Sequence, residues 1–205
     1  MDFLKQSRCA SLTSSLSRKE ERILAVVPPL MRALVVLILE TGMRSHREAL
    51  ALTWKAIDLV NDSIQVRESK TRAGIRNIPL STKCRAEVLR WRDMFGPEFS
   101  PFVFPKVRTP SQPLNDVRRS WEKTLEDAKL PKFVLYHLRH SHASRLSAAG
   151  VSDLFVAQMI GHSSPSILQT YAKAIDECRR DAIRKLEEMR AAHASRPSAH
   201  PASIN

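Results

Sequence analysis

Cysteine is scarce in this chain, which contains only Cys9, Cys84 and Cys178. Their number is odd, they lie far apart, and no pair has the C-x-x-C spacing. This pattern excludes a disulfide framework and a thiolate metal site. Few and scattered thiols are typical of a reducing compartment, so we expect the protein to be cytoplasmic.

Long apolar runs are also missing. The longest aliphatic run, Leu34–Leu39, is far shorter than the roughly 20 residues that a helix needs to cross a bilayer. The N-terminus alternates charged and apolar residues and lacks the apolar core of a signal peptide. We therefore expect neither a membrane partner nor a secretion signal.

Acidic residues are fewer than basic ones: 21 Asp and Glu stand against 33 Lys and Arg, a formal net charge of +12. The sequence pI of 10.2 predicts attraction to polyanions, of which nucleic acid is the commonest. A basic surface that serves solubility or binds an acidic protein would have the same composition. The 43% of hydrophobic residues is enough to fill a core, so the motifs must decide the function.

The pattern of apolar and capping residues predicts a mainly α-helical domain with a small antiparallel β-hairpin or sheet, an α+β fold. Residues 1–16 have no long period and are expected to be an arm or linker remnant. Ser17 and Glu20 have the spacing of a capping box, which predicts a helix from Ser17 through Val26. We expect the domain to span residues 17–192 and the polar residues 193–205 to form a disordered tail.

Prolines and glycines divide the domain into separate helices and strands. Pro28 and Pro29 separate the first helix from an apolar helix that Gly42 ends, which puts Arg44 just past a helix terminus. Alternating apolar residues around Gly74 predict an antiparallel hairpin with Lys70 near its tip. A short helix is predicted over 47–54, and a proline-rich loop with a strand at 102–104 over 96–113. The other predicted helices cover residues 82–95, 114–128, 136–149, 153–160, 166–174 and 176–192.

Several short motifs follow one another along the chain. His137-Leu-Arg139-His140 precedes Gly161-His162, and Tyr171 comes nine residues after that histidine. Upstream lie Thr41-Gly-Met-Arg44 and Lys70, the latter before Pro79-Leu80. These motifs resemble the HxLRH, LGH, tyrosine, TGxR and hairpin-lysine blocks of the phage-integrase family of tyrosine recombinases. The order and the final spacing make the resemblance specific, and it runs from about Ser17 to Ala192.

The resemblance implies a catalytic domain that cuts and rejoins DNA strands. Tyr171 would attack a phosphodiester and form a 3′-phosphotyrosyl link with a free 5′-hydroxyl, without metal or cofactor. Arg44 and Arg139 would stabilise the charge on the non-bridging oxygens, because guanidinium groups offer paired donors. Their field would also favour the phenolate of Tyr171, since the unperturbed pKa of a phenol is about 10.

Two further roles follow from the resemblance. Lys70 would donate a proton to the leaving 5′-oxygen, and His162 would donate a hydrogen bond to the scissile phosphate. Ordinary alternatives exist for every one of these residues: the arginines and Lys70 as solvated or DNA-backbone charges, Tyr171 as a helix-packing residue, His162 as a helix cap. Only the motif context favours the catalytic interpretation.

The chain departs from the family pattern at two site positions. The first histidine of HxLRH is replaced by Tyr136, and His137 lies one residue later. Neighbouring helical residues point about 100° apart, so His137 cannot simply take that place, and a tyrosine is a poor base near neutral pH. In the family an acidic residue lies three positions after the first arginine. Here Arg47 holds that position, and the acidic Glu48 comes one residue later. Glu48 either orients the arginines or is an ordinary surface carboxylate.

The histidines His137, His140 and His142 could suggest a metal site. No cysteine or paired carboxylate lies near them in sequence, so we expect no metal there.

Family members usually carry an N-terminal DNA-binding domain, whereas 16 residues precede Ser17. We expect duplex DNA as the partner, with reduced affinity, and self-association into a multimer on DNA, in which the helix at 176–192 docks on a neighbour or packs on its own domain. Two other functions stay open. The chain could be a DNA-binding remnant that does not cut, or it could relax DNA by topoisomerase-like chemistry.

Overall fold

The computed structural model describes residues 7–67, 74–161, 183, 184 and 187, and within the first helix it describes side chains from Ser17 onward. Helices dominate these residues, and two small antiparallel sheets accompany them, which confirms the α+β fold class. The helices are α1 (Ser7–Val26), α2 (Pro29–Thr41), α3 (Thr82–Phe95), α4 (Arg118–Asp127), α5 (His137–Ala148) and α6 (Asp153–Ile160). The strands are β1 (Ile57–Asp58), β2 (Ser63–Val66), β3 (Arg76–Pro79), β4 (Pro105–Lys106) and β5 (Thr109–Pro113).

The first helix begins at Ser7, so the predicted start at Ser17 was wrong. Residues 7–16 are helical, and Ser17 lies inside the helix. The physical reason is that no glycine or proline precedes Pro28, so nothing in the backbone stops the helix from extending upstream. The carboxylate of Glu20 contacts Lys83 and Arg145 instead of capping a helix start.

Helix α2 forms the centre of the core, as its uninterrupted apolar sequence predicts. Leu34, Val35 and Ile38 have no exposed surface, and α3 and α5 pack against this helix. Pro28 occupies the N-cap position, and Gly42 ends the helix in the left-handed region at φ 63°, where its N–H donates to the carbonyl of Ile38. Both predicted boundaries are confirmed, and Arg44 follows the helix terminus.

The short helix predicted over 47–54 is instead two separate turns. A π-helical turn spans Ser45–Ala49, and a 3₁₀ turn spans Trp54–Ala56. In the π turn the N–H of Ala49 donates to the carbonyl of Arg44 at 3.0 Å, and the N–H of Leu50 donates to that of Ser45 at 2.9 Å. Each of these bonds spans five residues, so the turn holds one residue more than an α turn does.

The first sheet has the order β1-β2-β3 and contains the predicted hairpin. Strands β2 and β3 are antiparallel, with Ile64 opposite Ile78 and Val66 opposite Arg76. The tip with Lys70 lies outside the described residues. In the proline-rich loop, β4 and β5 form a second antiparallel pair, so the strand predicted at 102–104 was misplaced; Phe102 makes only an isolated bridge to Thr53.

Helix boundaries follow the capping residues closely. Helices α3 and α6 have the predicted bounds, because Ser81 and Ser152 accept hydrogen bonds from the first turn of each. Helix α4 starts four residues later than predicted, since the N–H of Leu114 bonds the carbonyl of Phe104 instead. The helices predicted over 166–174 and 176–192 and the tail over 193–205 lie outside the described residues, except for 183, 184 and 187, which are helical. Among the described helices, none combines the length and the apolar character that a bilayer crossing requires.

Candidate active site

Arg44 stands two residues after Gly42, the glycine cap of α2, and it is the N-cap residue of the π turn. Its side chain bonds the carboxylate of Glu48, and its backbone N–H donates to the other oxygen of that carboxylate at 3.0 Å. Its second terminal nitrogen donates to the carbonyl of Gly161 at 2.7 Å. The guanidinium is therefore held at two points while part of it stays accessible.

Arg139 lies in the first turn of α5 and is 1% exposed. Its terminal nitrogens donate to the carbonyl of Gly42 and to that of Ile160. Its Nε is buried without a hydrogen-bond partner in the structure. Burial, followed by the positive charge of Arg44, lowers the pKa of Arg139 to about 10, which leaves it protonated at neutral pH.

The two arginines meet at the C-terminal end of α6. Arg139 bonds the carbonyl of Ile160 and Arg44 bonds that of Gly161, so consecutive backbone carbonyls receive the two guanidinium groups. A helix C-terminus is the negative end of its dipole and stabilises nearby cations. The structure thus brings Arg44 and Arg139 together, and His162 is the next residue along the chain after Gly161. His162, Lys70 and Tyr171 themselves lie outside the described residues.

Glu48 is 4% exposed, so it is not a surface carboxylate. Its Oε2 accepts from Arg76 at 3.0 Å, in addition to the bonds from Arg44. Burial alone would raise the pKa of Glu48, but hydrogen bonds and positive charge from Arg76, and hydrogen bonds from Arg44, hold that pKa below its usual value. The carboxylate is ionised and joins the two arginines.

The π turn explains how Glu48 reaches Arg44 from the fourth position. The resemblance places an acidic residue at the third position, which here is the exposed Arg47. Because the π turn absorbs one extra residue, the chain still closes onto Arg44 and directs the carboxylate of Glu48 inward.

Positive charge exceeds negative charge among these groups. Arg44, Arg76 and Arg139 face the single carboxylate of Glu48, which leaves a formal surplus of two positive charges. Electrostatic interactions are stronger where solvation is poor, and the N–H donors of arginine match the oxygens of a phosphate. The arrangement can therefore bind a phosphodiester and stabilise negative charge that develops on it.

Tyr136 and His137 occupy different surroundings. Tyr136 is 37% exposed, makes a T-shaped contact with His140 at 4.8 Å between ring centroids, and lies within electrostatic range of Arg139. His137 lines a groove between α1 and α5, with Phe133 at 6.0 Å between ring centroids. Tyr136, and not His137, therefore lies near Arg139, at the position that the resemblance gives to a histidine.

His142 has a packing role. His142 is buried, and its Nδ1 lies 2.9 Å from the carbonyl of Leu39, so it links α5 to α2. Within the described ranges, no group of three or more histidine, cysteine, aspartate or glutamate residues is arranged to hold a metal ion.

Arg76 was not predicted from the sequence. A usable signal exists, because side chains alternate along a strand and Arg76 therefore shares a face of β3 with Ile78, which is 2% exposed. An arginine on an inward face requires a counter-charge. Nothing in the sequence identified Glu48 as that counter-charge.

This chain is similar to known proteins both in sequence and in fold. The sequence model described as "Phage integrase family" matches residues 17–177. Tyrosine recombinase XerA of Thermococcus kodakarensis is 29% identical over 181 residues, which cover 85% of this chain and 63% of the relative. This chain spans between 44% and 63% of the length of four such curated relatives.

Solved structures have the same fold. The crystal structure of XerA recombinase matches with a TM-score of 0.67 at 24% identity, over 87% of this chain and 64% of that one. The Tn1549 transposon integrase, solved in complex with circular intermediate DNA, matches with a TM-score of 0.67 at 22% identity, over 83% of this chain and 65% of that one.

Proposed function

Because the chain belongs to the phage integrase family, we propose that it is the catalytic domain of a site-specific DNA recombinase or integrase. It cleaves and rejoins DNA strands through Tyr171, and residues 17–192 form the catalytic unit. Residues 1–16 precede this unit as an arm or linker remnant, and residues 193–205 follow it as a tail. No metal or cofactor takes part.

The observation that carries this proposal is the arginine pair at the end of α6. Arg44 and Arg139 bond the consecutive carbonyls of Gly161 and Ile160, and Glu48 fixes Arg44 from the opposite side. A phosphate placed against this pair would receive donors from both guanidinium groups. Charge that develops on its non-bridging oxygens is stabilised in place, without reorganisation of the protein.

The reaction begins when the phenolate of Tyr171 attacks the scissile phosphorus. The 5′-oxygen leaves, and a 3′-phosphotyrosyl ester forms, so one phosphoester bond replaces another. The surplus positive charge at the arginine pair lowers the energy of the phenolate that attacks. Reversal by a second 5′-hydroxyl rejoins the strand.

Two residues assist the displacement. Lys70, on the hairpin between β2 and β3, donates a proton to the leaving 5′-oxygen. His162, next to Gly161, donates a hydrogen bond to the scissile phosphate. Tyr136 lies beside Arg139 and hydrogen-bonds the phosphate, but it does not act as the general base.

Duplex DNA is the substrate and partner, and the formal charge of +12 supports its binding. Recombination needs two duplexes and hence a multimer of chains on DNA. The cytoplasm is the compartment, and the buried free thiol of Cys84 agrees with a reducing environment.

A suicide duplex tests the proposal. Duplexes drawn from a random pool and from DNA that flanks the gene carry a nick, so that the cleaved 5′ fragment diffuses away and the covalent complex accumulates. Wild-type protein should give a covalent protein–DNA band on a denaturing gel. Tyr171→Phe should give none while it still binds DNA.

Tyr136 favours a second candidate, a DNA-binding remnant that does not cut. It occupies the position of the family's histidine, and a tyrosine in general is a poorer base than a histidine. Tyr136→His distinguishes the candidates. A slow enzyme should become faster with the histidine, whereas a remnant should bind DNA and give no covalent band with either residue.

A further inference from the structure

We propose that Arg76 is a positioning residue of the active site, whose guanidinium holds Glu48 against Arg44 and ties the hairpin to the end of α6. The inference rests on the proposed function, because it concerns how Arg44 is kept in place for phosphate binding. Arg76 itself does not contact the phosphate.

The guanidinium of Arg76 makes four hydrogen bonds to three parts of the chain. Nε donates to the carbonyl of Met159 at 2.8 Å, in the last turn of α6. One terminal nitrogen donates to the carbonyl of Gly74 at 2.8 Å, at the base of the hairpin. The two terminal nitrogens reach the two oxygens of Glu48 at 3.3 and 3.0 Å.

This bonding leaves little of Arg76 for a ligand. Its side chain is 8% exposed, against 22% for Arg44, which shares the same carboxylate. Arg44 therefore faces outward to the substrate side, and Arg76 faces the protein. Arg139 is buried as well, but its Nε has no hydrogen-bond partner, whereas all three guanidinium nitrogens of Arg76 already donate to protein acceptors. Arg76 therefore acts through another residue.

Glu48 has little freedom while Arg76 is present. Each carboxylate oxygen accepts from Arg76 and from Arg44 at once. Without Arg76 the carboxylate keeps contacts on one side only, and it can rotate about its side-chain bonds. Arg44 then loses its fixed direction, although its own side chain is unchanged.

Arg76 also supports the carbonyl that receives Arg44. A Cβ atom on Gly161 would lie 2.7 Å from a terminal nitrogen of Arg76, so the guanidinium packs directly on the backbone of Gly161. The carbonyl of the same residue accepts from Arg44. The end of α6, which leads to His162, is thus held between two guanidinium groups.

Lysine cannot reproduce this arrangement. A planar guanidinium bonds two carbonyls and both oxygens of a carboxylate at fixed angles, whereas an ammonium is a compact point charge with three donors. Arg76→Lys keeps the charge and loses the geometry. It should therefore rescue only part of what Arg76→Met loses.

The test compares Arg76→Met, Arg76→Lys and Arg85→Met. Arg85 is a matched control, because it also bonds a carboxylate, that of Asp62 at 2.6 Å, but at an exposed place on α3. Single-turnover cleavage of the suicide duplex is measured at saturating protein, with DNA affinity from fluorescence anisotropy. Arg76→Met should slow cleavage by about 100-fold at nearly unchanged affinity, Arg76→Lys should lie between, and Arg85→Met should match wild type.

A second readout does not depend on DNA cleavage. Amide hydrogen exchange of the DNA-free proteins should speed up in peptides that contain Glu48 and the end of α6 in Arg76→Met, and not in Arg85→Met. Unchanged exchange, or a loss of DNA affinity as large as the loss of rate, overturns the positioning role. A third outcome is that exchange is faster in Arg76→Met but the wild-type protein never cleaves DNA. This outcome refutes the proposed function and leaves the positioning of Glu48 and Arg44 by Arg76 intact.

Discussion

Replacing Glu48 by glutamine removes the carboxylate that two arginines share. Glutamine has nearly the same shape, but it carries no charge and places an NH₂ group where an acceptor is needed. Arg44 and the buried Arg76 then lose their counter-charge. Removal of one partner from a buried ion pair costs about 3–5 kcal/mol, because the other charge stays buried and uncompensated. Since Arg44 is partly exposed and can turn to water, we expect about 3 kcal/mol for Glu48→Gln at neutral pH.

The loss should depend on pH in a defined direction. The pKa of Glu48 is lower in the folded protein than its ordinary value of 4.5, owing to Arg76 and Arg44, which outweigh the effect of burial. A lowered folded-state pKa stabilises the protein above the unfolded-state pKa, and this contribution disappears as pH falls through the folded-state pKa. The free energy of unfolding of wild type should therefore exceed that of Glu48→Gln by the full amount of about 3 kcal/mol at neutral pH. This difference should shrink below about pH 4.5.

Urea unfolding followed by circular dichroism measures the free energies, from neutral pH down to the acid limit of folding. Glu20 also has a lowered pKa, but it is present in both proteins and cancels in the difference. Glu122→Gln is the control, because the side chain of Glu122 is 44% exposed and its partner Arg118 is 81% exposed. That control should change stability by less than about 1 kcal/mol. A Glu48→Gln loss of the same small size, or one that stays constant on acidification, would refute the shared-carboxylate account.

Three other predictions concern single positions. Deletion of Arg47 should convert the π turn to an α turn and cost only about 1 kcal/mol in urea unfolding. Deletion of Val36 from the core of α2 should unfold the protein. Unfolding by both deletions would contradict the prediction. Gly42→Ala should cost more than about 2 kcal/mol of stability, because φ is +63° and the new Cβ would lie 2.7 Å from His142. Gly150→Ala, with φ +83° and no atom within 4 Å of the new Cβ, measures the backbone cost alone. Equal losses of stability in the two variants would exclude the clash with His142. Burial, and then the charges of Glu40 and Glu87, raise the pKa of Cys84 to about 12. Iodoacetamide should therefore label Cys84 at least about tenfold faster in denaturant than in the folded protein. Equal labelling rates would contradict its burial.

The sequence predicted those parts of the fold that depend on local chemistry. Helices α3 and α6 have their predicted bounds because a serine cap opens each one, and the left-handed Gly161 closes α6. The start of α1 could not be placed in the same way. A capping box acts only where the preceding backbone is not helical, and nothing between Ser7 and Ser17 interrupts the helix.

The site was predictable where motifs carry it and not where it depends on tertiary contacts. The motifs singled out Arg44 and Arg139, and the structure brings these two side chains together at the end of α6. The π turn at Ser45–Ala49 could not be predicted, since it depends on how one extra residue is absorbed against the core. Arg76 was missed for the same reason, because its partners Glu48 and Met159 lie 28 and 83 residues away along the chain.

The identity of the residue that becomes attached to DNA tests the central claim most directly. The chain has only two tyrosines, and trypsin would separate them into the peptides 133–139 and 146–173. The covalent complex from the suicide duplex is digested with nuclease and trypsin, and the peptide that keeps a nucleotide is sequenced by mass spectrometry. The account predicts a nucleotide on Tyr171 in the second peptide. Attachment at Tyr136, at a serine, or at no residue of a protein that binds the duplex would contradict it.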